Sequence, residues 1–122
     1  MSGTPAYRPA GQTVALSVAS TSHAPVAILT NTNDQVNWVG LLNSGTTTVA
    51  VNIGVAGAAS TFPADGTPGN FVIPASTPYP IVLPLPQPVQ LSSGAFQPPL
   101  ITAIGSVAGP VTIFATPLVM QT

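Results

Sequence analysis

Glycine and proline interrupt this chain so often that it has little room for a helix. The 122 residues include 11 glycines and 15 prolines, and no window of about a dozen residues is free of helix breakers or β-branched runs. Short groups of valine, isoleucine and leucine recur between turn signals spaced roughly eight to twelve residues apart. The sequence therefore predicts an all-β protein. We expect a single two-sheet antiparallel β-sandwich of about eight short strands, of jelly-roll or immunoglobulin type.

Several segments carry the patterns typical of strands. Alternation predicts one buried face for residues 13–18 and another for residues 46–55. Residues 36–43 are apolar on both faces, which indicates an inner strand or a strand whose outer face meets a partner. The segment Asn43–Gly45 (NSG) is typical of a tight turn, and residues 56–70 are typical of a loop. Further short strands are predicted at residues 25–30, 71–74, 100–104 and 110–121.

The segment Ser76–Gln90 (STPYPIVLPLPQPVQ) places its prolines in register with a strand. All five of its prolines occupy even positions, from Pro78 to Pro88, whereas its leucines and isoleucine occupy odd positions. Residues two apart in a strand share a face and a hydrogen-bonding edge. The prolines would thus withhold N–H groups from one edge, which predicts an edge strand protected on its free side. A polyproline-II segment laid on the sandwich is the alternative.

Charge is nearly absent from the sequence. Arg8, Asp34 and Asp65 are the only residues with full charges, so 2% of the chain is charged, whereas an ordinary soluble surface is about 25–35% charged. Uncharged polar side chains cost far less to desolvate than charged ones. We therefore expect a surface that packs against other subunits. The alternative is a monomer kept soluble by hydroxyl and amide groups.

The small number of charged and titratable residues argues against catalysis, metal binding and nucleic-acid binding. The titratable residues that could support catalysis are Arg8, His23, Asp34 and Asp65, and no serine has the glycine pattern of a nucleophile elbow. We predict that the protein is not an enzyme and holds no cofactor or metal. A calcium ion bound mainly by carbonyl oxygens is the alternative that the composition leaves open. A single arginine cannot neutralise the phosphate backbone of a nucleic acid, so nucleic-acid binding is not expected. The chain has no cysteine, and no apolar run predicts a membrane span.

The aromatic residues divide into two groups. Trp38, Phe71 and Phe114 lie on strand patterns, for which core packing is the favoured interpretation. The others lie beside prolines or in loops, where contact with a neighbouring subunit competes evenly with other roles. Residues 1–11 have no strand signal, so we expect an extended arm, disordered or draped over a partner, ahead of a sandwich at residues 12–122. The predicted partner contacts are Tyr7, Arg8, Phe62, Tyr79 and Phe96.

Residues 43–118 resemble a protein family. The segments NSGTTTVAVNIG, FVIPASTPYPIVLP and LITAIGSVAGPVTIFATP are similar to the turn and strands of small β-sandwich proteins that cement or decorate the capsids of tailed bacteriophages. The resemblance implies a non-enzymatic virion protein on the capsid exterior, which binds across seams between major capsid subunits and stabilises the shell. Its implied partners are the major capsid protein and further copies of itself in a dimer or trimer. We expect it to be made in the host cytoplasm, because residues 1–13 lack signal-peptide features.

A second hypothesis is a carbohydrate- or receptor-binding sandwich in a tail or fibre. Such a module needs exposed aromatic and amide side chains on one face. Asn37, Trp38 and Asn43 are the only candidates for this alternative ligand face. A secreted fibre subunit is a third possibility, which the missing signal-peptide features weaken.

Overall fold

A computed structural model describes residues 6–30, 36–54, 60 and 70–121. These residues form eleven β-strands, and no helix occurs among them. The strands are β1 (Ala6–Pro9), β2 (Val14–Val18), β3 (Val26–Ala27), β4 (Trp38–Asn43), β5 (Val49–Gly54), β6 (Phe71–Ile73), β7 (Ile81–Pro84), β8 (Val89–Gln90), β9 (Phe96–Gln97), β10 (Leu100–Gly105) and β11 (Val111–Gln121).

The strands form two antiparallel sheets. One sheet has the order β1-β11-β4-β7, with β2 beside β1 along the same edge of the long strand β11. The other has the order β3-β10-β5-β6, and β8 and β9 form a separate two-stranded ribbon. The predicted all-β, antiparallel sandwich is confirmed, with nine strands in its two sheets and two in the ribbon. The pairs are nested along the chain: β2 with β11, β3 with β10, β4 with β7, and β5 with β6.

The core lies between the inner faces of the two sheets. Each main strand contributes alternate residues to it, as the sequence patterns of β2 and β5 predict. Leu16, Val39, Val51 and Ile113 are all fully buried in this cluster. The strand β4 lies between β11 and β7, so the expectation of an inner strand is confirmed.

The proline-rich segment contains an edge strand, as predicted. Strand β7 pairs only with β4, and its free side ends the five-stranded sheet. Leu83 and Leu85 are buried in the core cluster, whereas Pro84 is exposed. The Leu85 N–H donates to the Asn37 carbonyl oxygen at 2.8 Å. Odd positions therefore direct their backbone groups towards β4, and even positions direct theirs away from it.

The N-terminal segment corrects the predicted domain boundary. Residues 6–11 belong to the sandwich: Ala6–Pro9 pairs with β11, Ala10 is buried, and the Ala10 N–H donates to the Pro117 carbonyl oxygen at 2.8 Å. The expectation of a separate arm is wrong for these residues, and residues 1–5 lie outside the described part of the chain. Local pattern could not reveal β1, because its pairing is supplied by a strand more than a hundred residues away.

Candidate functional site

The outer face of the five-stranded sheet is the candidate functional site. It consists of the side chains that alternate with the core-facing ones, and we call it the outer face. In β11, the residues Ile113 and Ala115 are buried in the core, so Phe114 points outward beside Leu42. The outer face is mainly apolar, and includes Tyr7, Trp38, Leu42, Val82, Phe114, Leu118 and Met120. Its hydroxyl-bearing residues in β2 and β11 are Ser17, Thr112 and Thr116.

A shallow groove lies at the centre of the outer face. Its volume is about 220 Å³, and its lining residues are Pro9, Gly40, Leu42, Pro80, Phe114, Thr116 and Leu118. The groove exists because Gly40 has no side chain between these neighbours. A Cβ atom at residue 40 would lie 2.9 Å from Leu118 Cδ1 and 3.2 Å from Pro80 Cβ. The groove therefore has apolar walls, the buried Gly40 lies between them, and Thr116 is the only hydroxyl-bearing residue of its lining.

The corresponding surface of the other sheet is partly covered. On this surface, Ala50 and Thr102 are almost completely buried, whereas Val72, which pairs with Ala50, is 44% exposed. Ser60 contacts Thr102, because its hydroxyl group shares a 2.9 Å hydrogen bond with Thr102 Oγ1. The Ser60 N–H also donates to Ser22 Oγ at 2.9 Å. Among the described residues, exposed apolar side chains therefore occur on the outer surfaces of both sheets.

The structure distributes the predicted partner contacts over different surfaces. Tyr7 lies on the outer face and contacts Trp38 edge to face, with ring centroids 6.2 Å apart. Arg8 is exposed in β1. Tyr79 is 75% exposed in the β6–β7 connection, whereas Phe96 is 67% exposed in the ribbon of the β7–β10 connection, at the opposite end of the sandwich. Phe62 lies outside the described residues, so the structure brings only Tyr7 onto the outer face.

Two aromatic residues lie outside the core, contrary to expectation. Phe114 is 36% exposed on the outer face, and Phe71 is 50% exposed at the end of β6, so core packing is wrong for both. Trp38 is half-buried. The signal for Phe114 was present in the sequence, since the alternation of Val111, Ile113 and Ala115 leaves Phe114 on the opposite face.

The alternative ligand face is not formed. Asn43 is fully buried and faces inward, whereas Trp38 lies on the outer face. The Asn43 side chain holds the β4–β5 turn: its Oδ1 accepts from the Gly45 N–H at 3.0 Å, and its Nδ2 donates to the Thr47 carbonyl oxygen at 2.7 Å. Asn37 is exposed, and its Oδ1 accepts from Gln87 Nε2 at 2.7 Å. Because Asn37 and Trp38 are consecutive in an extended chain, their side chains point to opposite faces.

The described residues contain no grouping of side chains suited to catalysis. His23 lies in the β2–β3 loop, and its Nδ1–H donates to the neighbouring Ala24 carbonyl oxygen at 2.8 Å, as a structural loop residue would. Among the residues that the structure describes, no cluster of three histidine, cysteine, aspartate or glutamate residues occurs. Asp34 and Asp65 lie outside these described residues. The described residues also include no helix long and apolar enough to cross a membrane.

Comparisons of the chain with protein-family models, curated protein sequences and solved structures return no match. The function is therefore inferred from the geometry of the outer face and from the strand order.

Proposed function

We propose that this chain is a non-enzymatic structural protein of a virion, a capsid cement or decoration protein that binds across seams between major capsid subunits. The outer face carries this proposal. It is mainly apolar, it has no charged side chain among the residues that form it, and it contains a groove of about 220 Å³ lined by apolar residues and Thr116. A monomeric protein rarely exposes an apolar patch larger than a few hundred Å² unless the patch binds something.

The strand order supports the same proposal. The nested pairs give the orders β2-β11-β4-β7 and β3-β10-β5-β6 in the two sheets. We interpret this arrangement as a jelly roll, a class of double-sheet fold that serves in viral capsids and in lectins. The strand β1 and the β8–β9 ribbon are additions to that eight-stranded plan. Fold alone does not define function, so the weight rests on the outer face and on the resemblance of residues 43–118 to capsid cement proteins.

The size of the outer face suits the central part of a specific contact. The eleven residues of β11 span about 36 Å at roughly 3.3 Å per residue, but β4 and β7 have only six and four residues. With strands about 4.8 Å apart, the five strands present roughly 480 Å², more than half of the roughly 800 Å² that each partner contributes to a standard interface. Because the contact uses uncharged groups, it forms without a large desolvation penalty. A partner bound only to the assembled shell then stabilises the shell by linkage.

The occupant of the outer face is a major capsid subunit under this proposal. The decisive experiment mixes purified chain with shells stripped of it, and quantifies bound chain per shell subunit by mass spectrometry after density-gradient sedimentation. We expect a fixed stoichiometric ratio and a higher temperature of shell disruption. No binding of the wild-type chain, or only a few copies per particle, would refute the cement function.

A matched pair of variants tests the role of the outer face. Phe114→Asp adds a charge to the outer face at a side chain outside the core, whereas Ser106→Asp adds the same charge in the exposed β10–β11 turn. Both variants should fold, as judged by circular dichroism. Phe114→Asp should lose shell binding by at least about tenfold, because burying an unpaired carboxylate is costly. Equal binding by the two variants would contradict attachment through the outer face.

A further inference from the structure

The two edges of the five-stranded sheet are protected very differently. At the β7 edge, the even positions Val82 and Pro84 face away from β4, and the next even positions on either side are Pro80 and Pro86. Within β7, Val82 alone can donate an N–H group there. The opposite edge includes β2, whose sequence VALSV contains no proline and no charge. Natural sheets usually block exposed edges with proline or charge, so β2 stands out as the unblocked edge of this sheet.

The hydrogen-bond pattern identifies which groups of β2 face the free edge. The Pro117 carbonyl oxygen accepts from the Ala10 N–H, so the odd positions of β11 direct their backbone groups towards β1 and β2. In the register of the two strands, the backbone groups of Val14, Leu16 and Val18 form the hydrogen bonds with β11. Ala15 and Ser17 therefore direct their N–H and C=O groups outward. Among the described residues, these four groups have no backbone hydrogen-bond partner.

We infer that a second copy of this chain pairs its own β2 with this edge, antiparallel, about a two-fold axis through Leu16. In this register, Ala15 of one protomer faces Ser17 of its partner, and the two such pairs form four backbone hydrogen bonds. Antiparallel pairing of a strand with its own copy matches every donor to an acceptor, as a two-fold interface requires. The small side chains of Ala15 and Ser17 let the two backbones approach without obstruction.

The surroundings of β2 select this register over its neighbours. A register shifted towards the C-terminus would use Ala19, whose carbonyl oxygen already accepts from the Gly105 N–H at 2.7 Å. A register shifted towards the N-terminus would use Thr13, next to which the Gln12 N–H donates to the Leu29 carbonyl oxygen at the edge of the opposite sheet, at 3.4 Å. The Leu16-centred register needs only Ala15 and Ser17 and avoids both connections to the opposite sheet. The resulting dimer joins two five-stranded sheets into one continuous sheet and sets the two outer faces side by side.

This dimer does not depend on attachment to a capsid, so it is tested with the free chain in solution. Sedimentation velocity over a range of concentrations distinguishes the 12.2 kDa chain from a species of twice that mass. Ser17→Pro removes the outward N–H and copies the protection of β7, whereas Ser17→Ala keeps that N–H and serves as the control. We expect dimers for the wild type and Ser17→Ala, and monomers for Ser17→Pro. A wild-type chain that stays monomeric up to about 1 mM, or a folded Ser17→Pro variant that dimerises equally well, would overturn the inference.

Cysteine substitution tests the register even if the proline variant fails to fold. The chain has no cysteine of its own, so chains carrying Ala15→Cys can be mixed with chains carrying Ser17→Cys and then oxidised. Facing residues in a hydrogen-bonded pair lie about 5.5 Å apart between Cα atoms, which suits a disulfide. Two copies of residue 17 would lie roughly 8 Å apart and beyond disulfide reach. The mixture should give mainly 15–17 cross-links between chains; cross-linking that is no greater in the mixture than in either variant alone would contradict the register.

Discussion

Replacing Asn43 with alanine should destabilise the fold without affecting an exposed site. Asn43 is fully buried, and its side chain bonds the Gly45 N–H at 3.0 Å and the Thr47 carbonyl oxygen at 2.7 Å. Each such hydrogen bond contributes about 1 kcal/mol, and leaving a buried partner unsatisfied costs about 1–3 kcal/mol. Because the turn is partly exposed, water can reach some of the freed groups. We therefore expect a loss of about 2–4 kcal/mol in the free energy of unfolding.

The assay is urea unfolding followed by circular dichroism, with thermal unfolding as a second measurement. A loss of this size should lower the midpoint temperature by roughly 10 °C in a chain of this length. The control is Ser44→Ala, which changes an exposed residue in the same turn and should alter stability by at most about 0.5 kcal/mol. An Asn43→Ala variant as stable as this control would refute the structural role. If the Asn43→Ala variant also lost binding to a glycan, the result would support the hypothesis of a ligand face at Asn37, Trp38 and Asn43.

Two further predictions concern the edges of the sandwich. Deleting residues 1–9 should lower the free energy of unfolding by about 1–3 kcal/mol, because four strand pairings with β11 are lost; an unchanged urea midpoint would show that β1 contributes nothing to stability. Replacing Pro84 and Pro86 together with valine restores two outward N–H groups at the β7 edge. The variant should remain within about 0.5 kcal/mol of wild-type stability but aggregate faster by light scattering, and unchanged aggregation would contradict a protective role for these prolines.

The sequence predicts much of the fold, because alternation is a local signal. The burial of Leu16 and Val18 in β2, and of Val49 and Val51 in β5, follows from apolar residues at every second position. The protected edge at β7 follows from the parity of the prolines. Which strands share a sheet is not a local property. Strands β4 and β5 are consecutive and joined by a turn signal, yet they lie in different sheets, because each pairs with strands from later in the chain.

The candidate site was only partly predictable. The apolar pattern of residues 36–43 on both faces indicated an inner strand or a strand whose outer face meets a partner. The inner position of β4 is confirmed, and contact of its outer face with a partner stays a prediction. The interpretations of Asn43 as a candidate for a ligand face and of Phe114 as a core residue do not match the structure. The turn predicted at Asn43–Gly45 already indicated the role of Asn43, because an asparagine before Ser-Gly commonly bonds the backbone two residues on. Large aromatic residues are usually buried, and that general tendency conflicted with the local alternation at Phe114, where the alternation decided the outcome.

The nesting of the strand pairs has a consequence for how the chain reaches this fold. Val51 and Phe71 pair across 20 positions (71 − 51), whereas Val14 and Ala115 pair across 101 (115 − 14). Closing the longer loop directly from the unfolded chain costs about 1.4 kcal/mol more than closing the shorter one. Once an inner pair has formed, however, each outer pair needs to close only the short segments that flank it. We therefore expect the sandwich to assemble as a zipper from β5 and β6 outward, on the millisecond-to-second timescale of non-local β-proteins, with β2 joining β11 among the last steps.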